Sequence, residues 1–569
     1  MLTRSPAHLF GQLSLAALCA ATLVACAPSS GGGSGTGAGG NARGEGGSKT
    51  EASGGVGGRD VGSGSAGAGG ARASGGNGGS EPDEGGRGGT GAGGSSAPNA
   101  GGSSASAAGG SGGSSGGRDD AAAPASDAAT TAPVTRTGDL TDLASLTMVD
   151  CTIAATVAPA TAIPTVGVAT FTTTLAGAER ALIQFGKSTT YTLEAPVNWA
   201  DPMHRTLLLG MPKSTTVHYR VVVLAGKNAC ASPDATYTTG TISGAPADRP
   251  PQKGTSTATP APGFIVVSNG NFGSIVTVQG EVVWAHRFPI SLSRAVMSFD
   301  GQYMYARDFG PFNAGSGGNI YRVAMDGSGE MKLAVSGGSH HDMNVIPTGI
   351  VYIAKPAAGT CDSIYVAAPD GSNSKPLVDL DIVFGKFAAG GGSRLAEKCH
   401  VNAIRYYKDT DSYSVSDREK DAIAFISGKG ELLGSVGATP TMPTPNHAKA
   451  EGADSKSTSL WRVQHGHDQY EPNKIILWSN GIMGGMSHVL HYTISGTTAK
   501  LDWQYTGAGS AGTFSDAQYL PNGNFLITNT DSGAVHEIDA SQKLVQSYTN
   551  LSTGYPSHRP TLYGPPQGR

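Results

Sequence analysis

Eleven of the fourteen histidines in this 569-residue chain lie between His286 and His558. Three segments concentrate them: Ser339-His340-His341-Asp342, Cys399-His400-Val401-Asn402 and Val463-Gln464-His465-Gly466-His467-Asp468. Imidazole changes charge near neutral pH, attacks as a nucleophile when neutral and ligates metals. The clusters therefore point to proton transfer, covalent relay or metal binding.

The three segments recur about sixty residues apart, and each precedes a strand-turn-strand pattern. Such a period is what a ring of repeated sheets needs to aim side chains at a common axis. Within residues 261–569, six segments of comparable design begin near Gly263, Ser298, His341, His400, His465 and Ser515, and they predict a six-bladed β-propeller. Two large sandwiches would not explain the period, and long runs at helical spacing are scarce. Alternation along inner strands predicts that His400 and Asn402 face together, as do His465 and His467. The run Gly263-Phe264-Ile265-Val266-Val267 is expected to close the ring against the last blade.

The rest of the chain divides by composition. Residues 1–25 read as a secretory signal, with Arg4 ahead of an apolar run from Leu13 to Ala25 that is too short for a membrane span. Leu23-Val24-Ala25-Cys26 resembles the lipobox of bacterial lipoproteins. That resemblance implies acylation of Cys26 and a membrane anchor, with Ala27 favouring the outer membrane. Residues 26–138 are mostly Gly, Ser and Ala, and no aromatic residue occurs between Phe10 and Phe171. This stretch is expected to be a disordered leash spanning roughly 50–60 Å, because it has too little apolar surface to offset its ordering entropy.

Residues 139–246 show short alternating runs, such as Val166–Phe171 and Val217–Val223, that predict a β-sandwich. The run His218-Tyr219-Arg220-Val221 resembles fibronectin type III domains, and immunoglobulin-like modules share the architecture. A Pro-rich linker, 247–260, comes next. The net charge of −4 and the absence of a Lys/Arg cluster argue against a nucleic-acid partner. Outside the leader and Cys26, four cysteines remain, an even number that fits disulfides in an exported protein. Connectivity is not fixed by sequence. Pairing within each domain gives Cys151–Cys230 and Cys361–Cys399, and the second would anchor the residue beside His400.

Four groups of motifs, in this order, carry a further resemblance: His341-Asp342; His400-Val401-Asn402 with Ser414-Val415-Ser416-Asp417-Arg418; Gln464-His465 with Lys474-Ile475-Ile476-Leu477-Trp478-Ser479-Asn480-Gly481; and Gln518-Tyr519-Leu520-Pro521-Asn522-Gly523-Asn524. Together they resemble the bacterial aryl sulfate sulfotransferase family over residues 261–569. The resemblance implies transfer of a sulfuryl group from a phenolic sulfate ester to a phenol acceptor through a sulfated histidine, with no cofactor. It implies His465 as nucleophile, His400 and His341 as its partners, Arg418 as the sulfate-binding cation, and Asn402 and His340 beside the substrate. The chain departs from the family at Trp478-Ser479-Asn480-Gly481 and in having Asp417 next to Arg418.

Physical chemistry asks for the same parts. A planar guanidinium holds two sulfuryl oxygens at once, the attacking imidazole must be neutral, and a donor to the leaving phenolic oxygen must be protonated. One general acid supplies only about 3 to 5 kcal/mol, so covalent relay, clamping and alignment must act together. Other chemistries use the same residues. A Zn²⁺ or Cu²⁺ site could draw on His341, Asp342, His400, His465, His467 and Asp468, a non-catalytic surface propeller could bind a partner or glycan, and Gly280-Glu281-Val282-Val283-Trp284 with Leu501-Asp502-Trp503 suggests a quinone-cofactor propeller.

Overall fold

Alternation decides the first folded module. Along Thr216–Ala225, Val217, Tyr219, Val221 and Val223 turn into one core with Phe171, Ile183, Phe185 and Leu208, while the intervening residues stay outside it. The computed structural model describes residues 140–310, 318–357, 360–388, 398–454, 459–481 and 486–566. The expected signal, Cys26 and leash lie outside the described residues, as does most of the loops 310–319 and 388–398. The architecture is all-β, and among the described residues no helix is long and apolar enough to cross a membrane.

The module is a sandwich. A sheet built on Arg180–Gly186 and Thr216–Ala225 faces a three-stranded sheet of Ile153–Pro159, Gly167–Thr173 and Thr206–Leu208. Cys151, just ahead of one sheet, is bonded to Cys230 in the other. The sandwich shares a core with the C-terminal ring of sheets: Ile163, Leu207 and Leu209 pack with Phe264, Trp284 and Leu562. Tyr563 fixes the contact by donating its hydroxyl to Leu207 O (2.6 Å) and accepting from Leu209 N (2.9 Å).

In that ring, six four-stranded antiparallel units succeed one another as blades of a propeller. Five have their first strand innermost: β1 (Leu292–Met297), β2 (Ser339–Ile346), β3 (Val401–Tyr407), β4 (Gln464–Glu471) and β5 (Asp516–Tyr519), and consecutive ones touch around the axis. The remaining blade takes its fourth strand from the C-terminus, β6 (Ser557–Arg559), which pairs with Phe264–Asn269. Phe264–Val266 therefore closes the ring against this returning strand and not against the preceding sheet. That sheet gains instead an edge strand, Gln252–Lys253, from the Pro-rich segment 247–260. His447–Ala450 pairs in parallel with the outer strands of two neighbouring blades and ties them into one nine-stranded sheet.

The blade expected to open near Ser298 opens at Leu292. Ser298 is instead part of the first turn, where its hydroxyl donates to Asp300 (2.6 Å). Strict alternation also fails where it matters most. The ladders of β1, β2, β3 and β4 each slip, between Leu292 and Arg294, Ser339 and Met343, Val401 and Ala403, and Gln464 and His467. A bulge inserts an extra residue and re-aims its neighbours. His340, His341, Asn402 and His465 all lie within these slips.

Candidate active site

The bulge of β2 holds His341 at φ 51°, a left-handed conformation that costs a non-glycine residue energy. Val463 (φ 52°), Phe514 (φ 43°) and Ser515 (φ 76°) share it, and all flank the same end of the ring. Four left-handed non-glycine residues thus flank the histidines, although others occur elsewhere in the fold. The strain persists because neighbouring strands over-determine the geometry.

His400 is held from several sides. Its N–H donates to Asp417 Oδ2 (3.0 Å), its carbonyl accepts from Arg418 N (2.9 Å), and the next amide, Val401 N, donates to Asp362 Oδ2 (2.6 Å). Cys399, bonded to Cys361 with Cα atoms 4.8 Å apart, ties the residue before His400 to the one before Asp362. Asp417 does not neutralise its neighbour Arg418. Its carboxyl turns inward to accept from His400, Glu419 and Lys420 backbone amides, and burial pushes its pKa up to about 7.

Three rings form a row. His340 Nδ1 is 3.2 Å from Val401 O, His341 Nδ1 is 3.1 Å from His340 Nε2, and His400 Nε2 is 3.3 Å from His341 Nε2. Burial first, then neighbouring imidazoles and cations, lower the pKa of both His340 and His341 well below the usual range. His465 adjoins the row, its ring centroid 6.1 Å from that of His341. Burial and then the Arg418 charge push its pKa down to about 3, so it is neutral at pH 7.

The orientation of His465 is set mainly by Asn480, with Val463 O also facing its Nδ1 at 3.3 Å. Asn480 directs its Nδ2 to Ala511 O (3.0 Å), which leaves Oδ1 to accept at 2.6 Å from His465 Nδ1. Nδ1 therefore carries the hydrogen, and the lone pair sits on Nε2. Arg418 supplies the cation. Its side chain is 19% exposed, one terminal nitrogen is 3.6 Å from Glu419, and its buried Nε has no partner among the described residues. An orphaned buried guanidinium N–H is costly unless something binds it. Phe514 lines the same space, 5.5 Å from His341 and 6.1 Å from His465, with Phe309 and Tyr555 packed on it edge-on.

The structure thus brings together His340, His341, His400, His465 and Arg418. Asn402 is near but engaged: its Nδ2 donates to Gln464 O (2.7 Å) and its Oδ1 accepts from Ser416 (2.9 Å), so it braces β3 against β4. His467, expected beside His465, is turned away by the bulge and meets Ser414 Oγ at 2.7 Å. Asn480, Asp362 and Phe514 do not stand out in the sequence. Asn480 is legible there only as part of a motif, because its place opposite His465 depends on hairpin register.

His340, His341 and His400 offer nitrogens within 4.8 Å of one another. Ligands of one tetrahedral ion with bonds of about 2.05 Å would lie about 3.3 Å apart. His341 here spends one nitrogen on each neighbour, so the row fits hydrogen bonds better than a shared ion. Cys361 and Cys399, grouped with Asp381, are joined to each other and cannot ligate as thiolates.

No family model matches the chain, and no curated protein matches it. Among solved structures, it is similar to Sqt1 from Chaetomium thermophilum, with 9% identity, a TM-score of 0.29, and coverage of 69% of this chain and 86% of the other. It is similar also to a putative oxidoreductase (glucose dehydrogenase) from Thermus thermophilus, with 11% identity, a TM-score of 0.26, and coverage of 53% and 99%.

Proposed function

We propose that the protein is an aryl sulfate sulfotransferase, with His465 as the nucleophile that carries the sulfuryl group. The observation that carries this reading is the Asn480 contact: a neutral imidazole with Nδ1–H engaged has its Nε2 lone pair available, beside the unsatisfied guanidinium of Arg418. Arg418 holds the sulfuryl oxygens and neutralises charge as the S–O bond lengthens. Phe514 gives the phenyl ring an apolar, aromatic surface.

In the first half-reaction the His465 Nε2 pair forms an N–S bond while the S–O bond breaks with its electrons on the phenolic oxygen, which takes a proton from His400, the ring that enters this step as imidazolium and leaves it neutral. In the second, an acceptor phenol gives its proton back to His400, its oxygen attacks sulfur, and the N–S pair returns to His465. Atoms and charge balance with no cofactor, and the scheme requires ping-pong kinetics. The two disulfides suit an exported protein. Export, acylation at Cys26 and an outer-membrane position facing periplasm or cell surface complete the proposal.

The test is incubation with a chromogenic phenyl sulfate, with and without a phenol, and then peptide mass spectrometry. Expected are acceptor-dependent phenol release and an acid-labile adduct of one sulfuryl group on His465, both lost in His465→Ala. Folded protein that gives neither across a panel of aryl sulfates refutes the proposal.

A further inference from the structure

Three carbonyls of one loop reach either the strand of His465 or the residue that holds its ring. The loop, residues 506–515, leads into β5. Ala511 O (3.0 Å) and Phe514 O (3.4 Å) accept from Asn480 Nδ2, and Ser515 O accepts from Gly466 N (2.9 Å), the amide that follows His465. Carbonyls can only accept, so a reversed Asn480 amide would set oxygen against oxygen at Ala511 and Phe514 and turn an N–H toward His465 Nδ1. The loop does not hold this shape unaided. Phe514 and Ser515 are consecutive left-handed residues, a conformation that persists only where other bonds enforce it.

Those bonds come from two sides. On one, buried Ser487 Oγ accepts from Ala511 N (2.9 Å) and lies 3.1 Å from Asn480 O and 3.2 Å from Ala511 O, so its single hydrogen serves one or the other. Ser487 thus joins the loop to the backbone of Asn480 itself. On the other side the turn Asn529-Thr530-Asp531 grips the loop along its length. Asn529 Nδ2 donates to Ala508 O (2.8 Å) and Ser510 O (3.1 Å), and Thr530 exchanges bonds with Ser515 (2.9 and 3.0 Å). Asp531 gives both carboxylate oxygens to the loop: Oδ2 accepts from Gly512 N (2.6 Å) and Oδ1 from Thr513 Oγ1 (3.0 Å).

We infer that Ser487 and Asp531 are positioning residues which, through the 506–515 loop and Asn480, fix the angle at which His465 Nε2 meets the sulfur. For its catalytic use this rests on the sulfotransferase reading. Bonds to an ionised acceptor are about twice as strong as neutral ones, so Asp531 is the firmest of these grips. It is also exposed, which separates its hold on the loop from the stability of the core. Val463 O still faces His465 Nδ1 at 3.3 Å if Asn480 drifts. A loosened loop therefore leaves the hydrogen on Nδ1 but removes the short 2.6 Å bond that aims the ring. A misplacement of about 1 Å at a reacting atom costs about a hundredfold in rate.

The test compares Asp531→Ala, Asp531→Asn and Ser487→Ala in the full chain. With a chromogenic phenyl sulfate, Asp531→Ala and Ser487→Ala should each lower kcat by about ten- to a hundredfold and move KM by less than about twofold. Asp531→Asn, whose amide oxygen can still accept from Gly512 N, should recover most of the loss. In protein labelled with ¹⁵N-histidine, with His465→Ala to assign the signal, the low-field Nδ1 proton of His465 should move to higher field in both alanine variants and stay in place in Asp531→Asn. Wild-type kcat in both alanine variants, or a lower kcat with the Nδ1 signal unmoved, overturns the inference. A moved signal in a protein that forms no sulfohistidine keeps the loop's hold on His465 and refutes the sulfotransferase reading.

Discussion

Two buried polar regions lie along the same inner strands, and they are built on opposite plans. In one, Arg294, Asp342, Arg405 and Asp516 close on one another: Arg294 is 3.2 Å from Asp342, and Arg405 is 3.2 Å from Asp342 and 2.6 Å from Asp516. Most remaining valences are spent on backbone, and Arg405 Nε alone of these guanidinium and carboxylate groups has no partner among the described residues. Asp342 accepts from Ile404 N of the next blade, and Arg294 donates to Tyr555 O and Pro556 O near the returning strand. In the other, burial lowers the pKa of His340, His341 and His465, and Arg418 keeps an unsatisfied Nε–H. Charge paired within buried strands holds the blades together, whereas a partly exposed cation with only Glu419 at 3.6 Å beside it is what a charged ligand can use.

Breaking the closed region should have the largest effect. Arg405→Met strands the carboxylates of Asp342 and Asp516 and is expected to cost about 3–5 kcal/mol, read as a lower denaturant midpoint. A midpoint within experimental error of wild type would erase the distinction between the two regions. Arg418→Gln should do the reverse. Stability should change by less than about 0.5 kcal/mol, while turnover of an aryl sulfate drops by about 10²–10³. A large loss of stability with activity retained would mean that the guanidinium is structural.

The comparison sharpens at His467, which belongs to the closed plan although it neighbours His465. Burial holds its pKa down to about 3, below the usual 6.5. The unfolded chain therefore takes up a proton first, and stability falls as pH drops from 6.5 toward 3. Asp417 and Asp421, both raised to about 7, act in the opposite sense: they favour the fold increasingly as pH falls from 7 toward the unfolded carboxylate value. His467→Gln should remove up to about 2 kcal/mol of the acid destabilisation at pH 5. Parallel acid limbs in the two proteins would show that the ring is not held neutral. The smallest effect is expected at Val463, a β-branched residue in left-handed backbone. Val463→Asn should stabilise by roughly 1 kcal/mol, because Asn tolerates that conformation, and should lower turnover if strain helps to aim His465. A destabilised variant would indicate that the side chain's packing outweighs the strain.

Particular residues show what is legible in the chain. The sandwich strands can be read from Val217, Tyr219, Val221 and Val223, because local alternation is all a half-buried strand needs. The histidine spacing predicts blades because each repeats one supersecondary unit. Ser298 misleads as an opening because a Phe-Asp-Gly-Gln turn looks like the start of a unit when it is the first bend inside one. The pairing of His465 with His467 fails for a different reason: alternation assumes an unbroken ladder, and the slip between Gln464 and His467 is set by the neighbouring strand. Gly466 hints at it only once the fold is known, since a Cβ there would run into Asp516 Oδ1, an approach that glycine alone permits.

The sequence by itself determined the all-β class, the division into sandwich and ring, and the residue types available for chemistry, since these depend on local pattern and composition. Only the tertiary structure decided that Asn480 fixes which nitrogen of His465 is free, that Asp417 turns away from Arg418, and that the rings of His340, His341 and His400 come into one row. Those facts depend on hydrogen bonds between strands far apart in the chain, whose register is settled when the blades pack around a common axis.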